Sequence, residues 1–406
     1  MNWQLKTIGE ITEVVTKGTT PSTYGMPFTD EGINFVKAEA LNGDVTLDRN
    51  GFTFIDDETH EKLKRSQLHQ NDVLITIAGA NVGKCGYVRE AEVPANTNQA
   101  VGIVRVKPTE ANPRYIYYHF KQPSTFAMCQ GIGGGQAAQP NINLTVLKTF
   151  KVNLPDTLYQ DRVVEIVGAY DDLIENNKRR IELLEESARQ LYKEWFVRFR
   201  FPGHEHVKII DGVPERWTRT TADQAIEILS GGTPKTTIPE YWDGDIGFFT
   251  PKDSTNTVYV SNTEKTITSL GLERCASKLY PKNTLFITAR GTVGKLNLAQ
   301  KPTAINQSCY ALVGKESVNQ IYLFFAMQAG IQQVKSRAVG AVFDAIIKDT
   351  FKVIPFVVPP ESLIAEFTDF AKPIIAQIDF LLTSTEKLTQ ARDILLPKLM
   401  NGEVAV

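Results

Sequence analysis

The two halves of this 406-residue chain carry the same short motifs in the same order, which constrains the fold more than any single motif does. Trp3 and Trp217 each open a half. Gly18-Thr19-Thr20-Pro21 is answered by Gly232-Thr233-Pro234. The run from Asp72 to Lys84 aligns without a gap to the run from Asn283 to Lys295, both ending Val-Gly-Lys. Asn98-Gln99 matches Asn306-Gln307, Thr149-Phe150-Lys151-Val152 recurs as Thr350-Phe351-Lys352-Val353, and Pro155 answers Pro359. Collinear matches across a whole half mark a tandem repeat, so the chain has to build one unit twice.

Each matching proline is followed by a long helical pattern. Between Pro155 and Phe199, Ile166, Tyr170, Leu173, Ile181, Leu184, Ala188, Leu191 and Trp195 recur in steps of mostly three or four, and Asn177 fills a polar slot. The tail repeats the spacing at Phe367, Ile374, Ile378, Leu381, Leu388, Leu395 and Leu399, with Thr385 and Arg392 in polar slots. Stripes this narrow predict helices packed lengthwise on one another rather than on a broad globular core. Thirty residues of such helix span roughly 45 Å at about 1.5 Å per residue. Pro202 and Gly203 end the first helix, and the second globular unit begins near Val213 to Trp217.

Strand-like runs at Asp72–Ala78, Val101–Val106, Leu285–Ala289 and Ser308–Val313 alternate with short helical patterns at Arg114–Phe120 and Gln320–Met327. The predicted class is therefore α+β. Two α/β units stand in tandem, separated and joined by two long antiparallel coiled-coil helices, with a pseudo-twofold internal repeat. The predicted boundaries are 1–154 for the first unit, 155–205 for the central helix, 206–358 for the second unit and 359–406 for the terminal helix.

A net charge of −2 does not advertise nucleic acid, but its distribution qualifies that. Residues 206–358 hold 17 basic against 13 acidic side chains, whereas the two helical regions hold 8 against 11 and 4 against 7. Residues 1–154 hold 15 of each, and acid on the helices with an excess of base on the second globular unit suits units that face phosphates and helices that face protein. Cys85, Cys129, Cys275 and Cys309 are scattered, which predicts free thiols in a reducing compartment. The N-terminus has no apolar signal core and no apolar run approaches the ~18 residues of a membrane span. These features predict a soluble, cytoplasmic protein.

The motifs nearest to catalysis each fall short. A phosphate loop needs a glycine, four residues, then Gly-Lys-Ser/Thr. Ala78 and Cys85 occupy the first and last of those places, and Ala289 and Leu296 occupy them in the second copy. What remains is a turn that offers Asn81, Lys84, Arg290, Thr292 and Lys295 to a polar ligand. Asn112-Pro113-Arg114-Tyr115 resembles the Asn-Pro-Pro-Tyr tetrapeptide of amino-methyltransferases, yet Arg114 replaces the second proline and no glycine-rich cofactor loop follows a strand. A helix start with proline in its first turn accounts for it better. The glycine cluster from Gly131 to Gln136 suits a loop tip or a close approach to a DNA backbone, and Arg337 and Gly340 fall at the corresponding place. His204-Glu205-His206 lacks a third metal ligand nearby, so no metal is expected. No Glu-x-Lys exists to complete a nuclease site, and no Ser or Cys is tied to a base. The expectation is a chain that is not an enzyme.

The doubled order resembles the specificity subunit of Type I restriction–modification enzymes. The resemblance is carried by the opening Pro214 to Trp217, the Gly-Thr-Pro turn, the Gly-x-Val-Gly-Lys strand end, the Asn-Gln pair, the proline before each helix and the tail from Leu395 to Gly402. It covers essentially the whole chain. The first unit departs from it, with only Asn2-Trp3 at its opening and an extra threonine in Gly-Thr-Thr-Pro.

That resemblance implies a non-catalytic subunit that chooses DNA. Each globular unit would be a target-recognition domain reading one half of a bipartite double-stranded site, about one DNA turn (near 34–36 Å) from the other. The coiled coil would space the halves and dock two modification subunits. Those partners would carry S-adenosylmethionine and methylate adenine, and restriction subunits would add ATP- and Mg-dependent cleavage, with no cofactor on this chain. Candidate DNA contacts are then Thr20, Lys37, Glu39, Asn81, Lys84 and Gln136 in the first unit. In the second they are Thr233, Lys252, Asp253, Arg290, Thr292, Lys295 and Arg337. Arg and Lys suit guanine, Asn and Gln suit adenine, and Lys, Thr and backbone amides suit phosphate. Leu173, Ile181, Leu184, Leu191, Ile378, Leu381, Leu388 and Leu395 are the candidates for the coiled coil and partner docking. Asn98-Gln99 and Asn306-Gln307 fit buried cap or turn residues better than DNA contacts, because Asn commonly bonds its own backbone. Two other readings compete: a self-contained DNA adenine methyltransferase with an unrecognised cofactor site, and a coiled-coil scaffold blind to nucleic acid.

Overall fold

The computed structural model describes residues 3–133, 141–337 and 345–406. The chain forms two compact units, one of Met1–Glu175 with Lys387–Val406, the other of Asn176–Glu386. Both long helices therefore contribute residues to both units.

Among the described residues, the first unit holds ten strands: β1 (Gln4–Thr7), β2 (Thr12–Lys17), β3 (Ile33–Val36), β4 (Phe52–Ile55), β5 (Gln67–Leu68), β6 (Val73–Thr76), β7 (Cys85–Tyr87), β8 (Ala95–Thr97), β9 (Val101–Val106) and β10 (Lys151–Leu154). They make sheets of order β2-β9-β6-β7, β4-β3-β8-β5 and β1-β10. Its helices are α1 (Asp57–Lys62), α2 (Pro113–Lys121), α3 (Pro123–Gly133), α4 (Leu144–Lys148) and the first turns of α5 (Thr157–Tyr192). The apolar run of β6 and the matching run of β9 are central strands with both faces covered, since Val73, Leu74, Ile75, Val101, Ile103 and Val104 are fully buried. Asn112 starts α2 by accepting the backbone N–H of Arg114 at 2.9 Å and of Tyr115 at 3.3 Å, with Pro113 at the first helical position. That is why Asn112-Pro113-Arg114-Tyr115 stands where it does.

The second unit opens with a hairpin, β11 (Ile209–Ile210) and β12 (Val213–Pro214). It continues with β13 (Thr218–Thr221), β14 (Ile226–Ser230), β15 (Trp242–Phe249), β16 (Tyr259–Val260), β17 (Lys265–Ile267), β18 (Leu285–Thr288), β19 (Leu296–Ala299), β20 (Thr303–Ile305), β21 (Cys309–Gly314) and β22 (Pro355–Val358). Its helices are α6 (Ala222–Ala225), α7 (Ser269–Glu273), α8 (Gln320–Arg337) and most of α9 (Glu361–Met400). The sheets repeat the first unit's strand order: β14-β21-β18-β19 answers β2-β9-β6-β7, β17-β15-β20 answers β4-β3-β8, and β13-β22 answers β1-β10, while β16 extends the second unit's larger sheet and β5 the first unit's smaller one. Even the parallel pairing of β3 with β8 recurs as β15 with β20. What is duplicated is the topology itself.

The hydrogen bonds correct the sequence alignment in two places. Thr76 N–H donates to the Lys84 carbonyl and Gly83 N–H to that of Thr76, at 2.8 and 2.9 Å. Thr288 does the same with Lys295 and Gly294, at 3.0 and 2.9 Å. Thr76 thus corresponds to Thr288, and the second turn is one residue shorter than the gapless match implied. Both registers place apolar residues in the strand, so only the bonding pattern distinguishes them. Likewise Thr19 N–H bonds the Thr97 carbonyl as Gly232 N–H bonds that of Ile305. Gly18 therefore answers Gly231, and the first unit has no extra threonine.

α5 runs 36 residues, closes with one π turn over Lys193–Val197, and stops at Phe199, whose φ is +59°. The added residue of that turn lets Trp195 and Phe196 both reach the second unit's core. There Phe196 lies 5.8 Å from Trp217, 5.0 Å from Tyr322 and 5.1 Å from Phe367, ring centre to ring centre. In the first unit Trp3 packs edge-on against Tyr159 at 5.6 Å, and the Tyr159 hydroxyl lies 3.0 Å from the Leu399 carbonyl. Each opening tryptophan thus belongs to the aromatic packing at one end of a long helix. Within the first unit the start of α5 pairs antiparallel with the end of α9. Within the second, the end of α5 meets the start of α9.

Ile181, Ile378 and Leu381 are buried in this packing, and Leu184, Leu191, Leu388 and Leu395 are half-buried. Leu173 is not: it is 49 % exposed, and Ile174 takes the inward position. The first turns of α5 pack on α2 as well as on α9, so their buried stripe runs through Val163, Val167, Asp171 and Ile174. That stripe lies beside the equally spaced Ile166-Tyr170-Leu173 stripe. Cys85, Cys129 and Cys309 are buried free thiols and Cys275 is a half-buried one.

Candidate nucleic-acid interface

The duplicated loops bring polar groups together at matched places. At the end of β2 and in the β8–β9 turn, the Thr20 hydroxyl donates to Oε1 of Gln99. At the end of β14 and in the β20–β21 turn, the Thr233 hydroxyl donates to Oε1 of Gln307. The preceding asparagines hold the turns: Asn98 Oδ1 accepts Ala100 N–H at 3.2 Å, and Asn306 Oδ1 accepts Ser308 N–H at 3.0 Å. The asparagines are half-buried turn residues, as expected, but both glutamines are exposed, which corrects the expectation for them. Neighbouring residues in these turns face opposite ways, the Asn inward and the Gln outward. The doubled Asn-Gln pair was the signal for these glutamines, and pairing with a threonine far away in sequence was the part it could not carry.

The β6–β7 and β18–β19 turns hold a second group. Asn81 and Lys84 are half-buried, and Lys84 edges a cleft of about 400 Å³ beside Asp44, Lys121 and Asp393. Arg290 and Thr292 are exposed, and the Thr292 hydroxyl donates to the Pro251 carbonyl at 3.1 Å. Lys295 Nζ donates to Asn256 Oδ1 at 3.1 Å. A third group follows β3 and β15. Lys37 Nζ lies 5.3 Å from the centre of the Phe28 ring, while Glu39 and Lys252 are exposed. Asp253 has both carboxylate oxygens engaged, one inside its own turn and one by a later loop. One accepts Thr250 N–H and hydroxyl at 2.7 Å each, the other Glu264 N–H at 2.6 Å. Its geometry is that of a turn-holding residue. Gln136 lies outside the described residues, and so does the side chain of Arg337, which ends α8.

Chemically these groups can donate hydrogen bonds and present cations. The buried thiols are poor nucleophiles, since burial pushes Cys85 up to about 12 and Cys129 to about 11. His204 Nδ1 sits 2.8 Å from the Phe201 carbonyl, and among the described residues no group of three His, Cys, Asp or Glu is placed to hold a metal ion. Among the same residues, no helix is long and apolar enough to cross a membrane.

Among known proteins, the MjaIX Type I restriction enzyme specificity subunit of Methanocaldococcus jannaschii is 25 % identical, over 100 % of this chain and 94 % of the relative. The HindI specificity subunit of Haemophilus influenzae is 23 % identical over 65 % of this chain and 71 % of its own length. The solved S subunit of a Type I restriction–modification system from M. genitalium shares the fold. Its TM-score is 0.60 at 16 % identity, covering 98 % of this chain and 96 % of that one. Nothing in these likenesses supports a self-contained methyltransferase. The family model for the Type I restriction modification DNA specificity domain matches residues 1–186 and again 214–390, and the chain belongs to that family.

Proposed function

We propose that this chain chooses the DNA sequence for a Type I restriction–modification system and performs no chemistry itself. The observation that carries the reading is the duplicated strand order of the reader unit, matched twice by the specificity-domain model. One reader serves each half of a bipartite target, and loop groups such as half-buried Thr20 and exposed Thr233 and Arg290 supply the contacts. The long helices dock modification subunits, which bring S-adenosylmethionine and adenine methylation, while ATP and Mg belong to restriction subunits in the assembled complex.

The test uses labelled S-adenosylmethionine and duplex DNA. The chain alone transfers no methyl group, and the chain with modification subunits methylates adenines within one two-part motif. Transfer by the chain alone would end the non-catalytic reading. Binding to duplex DNA weakens steeply with salt, as phosphate contacts demand, and salt-independent binding would favour a scaffold instead.

A further inference from the structure

The two readers differ in most of their exposed loop chemistry, yet one exposed arrangement is built the same way in both. The glutamine of the Asn-Gln turn is exposed, and a threonine hydroxyl from 79 or 74 residues away occupies its Oε1. Threonine reaches it only because a glycine precedes. A Cβ on Gly18 would lie 2.1 Å from the Thr97 carbonyl oxygen, and one on Gly231 would lie 2.2 Å from that of Asn306. Pro21 and Pro234, buried, anchor the other side of each threonine. Such a hydrogen bond between exposed side chains adds little stability, about 1 kcal/mol, so the fold alone does not require it twice.

With Oε1 engaged by the hydroxyl, each glutamine presents its Nε2 hydrogens outward as donors. Readers aimed at different half-sites share the DNA backbone and not the bases, and phosphate oxygens only accept. We infer that Gln99 with Thr20, and Gln307 with Thr233, form one sequence-independent contact to the DNA backbone, made once per half-site. The inference rests on the DNA-recognition reading above. It assigns base choice to what differs beside the contact, first of all Arg65. Arg65 Nη2 donates to the Thr19 hydroxyl at 3.2 Å, next to the first clamp. In the second reader Gly232 takes the place of Thr19 and packs so closely on Ala276 that a Cβ would lie 2.6 Å from its nitrogen. The guanidinium therefore belongs to the first reader's clamp alone, and its forked donors suit guanine O6 and N7.

The experiment takes the full chain assembled with modification subunits, a fluorescent random-sequence duplex, and mapping of methylated adenines in cells. Gln99→Ala and Gln307→Ala each weaken binding to the random duplex about 3- to 10-fold, the loss of one hydrogen bond, and leave the methylated motif unchanged. Gln99→Glu and Gln307→Glu weaken it further, because a carboxylate would face phosphate. Arg65→Ala relaxes the motif at one position in one half only. A glutamine variant that changes the motif while its affinity for random duplex holds would overturn the backbone assignment, as would unchanged affinity in the Glu variants. If the unmutated complex bound no duplex at all, the DNA-recognition reading itself would fall, which is a different result. The glutamines are exposed, so thermal unfolding of each variant stays within a few degrees of the parental value.

Discussion

His119, in the last turn of α2, is a mostly buried imidazole whose Nε2 has no hydrogen-bond partner. Burial lowers its pKa from the usual 6.5 to about 4, so the ring is neutral in the folded chain at neutral pH. Below pH 6.5 the unfolded chain takes up a proton that the folded chain refuses until about pH 4. Stability is therefore full above the unfolded pKa and falls as pH drops through that window, by at most about 3 kcal/mol. The matching residue in the second reader is Ala326, which offers the natural control. His119→Ala should lower stability at neutral pH by leaving a hole, yet show a shallower further loss on acidification. Urea unfolding midpoints across that pH range check it, and equal slopes for the two proteins would refute it. Neither His119 nor the Gln99–Thr20 pair could be ranked from residue type, since a burial and a tertiary partner decide both.

At the scale of elements, the buried seam between α5 and α9 carries a charged slot in the first unit that is apolar in the second. In the first, Arg392 Nη1 meets Asp171 Oδ1 at 2.8 Å, and the Tyr118 hydroxyl donates to Asp171 Oδ2 at 2.8 Å, all three residues being buried. The corresponding residues in the second are Ala188, Ile375 and Phe325, an apolar trio that is equally buried. Removing Arg392 leaves the Asp171 carboxylate without its cation in a dry site and costs about 3–5 kcal/mol, whereas replacing the whole set by fitted apolar groups is often neutral or better. Arg392→Ala should therefore destabilise strongly, and Asp171→Ile less, because Arg392 keeps Asp393 at 2.8 Å. The triple change Tyr118→Phe, Asp171→Ile, Arg392→Ala, which copies the second unit, should recover most of the loss. Denaturant unfolding of the three proteins tests this, and a triple variant weaker than either single one would show that the second unit's packing does not transfer. The three-and-four spacing made the helices and the polar slot at Arg392 legible. It did not reveal Asp171 as the partner, because Asp171-Asp172 reads as a solvated pair and Tyr118 stands 53 residues earlier. Nor could spacing choose between the Leu173 and Ile174 stripes, which the packing of α2 decides.

For the whole molecule, the duplication was legible because backbone geometry writes itself into sequence at turns. Gly83 and Gly294, with φ of +90° and +80°, stand where other residues would be strained, so both copies keep the glycine while the exposed positions around them change. Base-contacting side chains carry no such mark, so in the sequence only loop position points to candidate contacts. The same geometry shapes the test of modular reading. The compact first unit is not residues 1–154 alone, for it includes the start of α5 and Lys387–Val406. Tyr159 bonds the Leu399 carbonyl there, and a Cβ at Gly402 would come within 2.9 Å of Trp3. Exchanging residues 1–154 for those of a relative should change one half of the methylated motif and leave the other untouched. The exchange should be stable only where the incoming reader brings a tyrosine at the Tyr118 position and a tryptophan at the Trp3 position. Where it does not, carrying residues 155–175 and 387–406 with it should restore stability without altering the new motif. Mapping methylated adenines and measuring unfolding for both exchanges decides the matter, and a change in both halves of the motif would mean that the readers do not act independently.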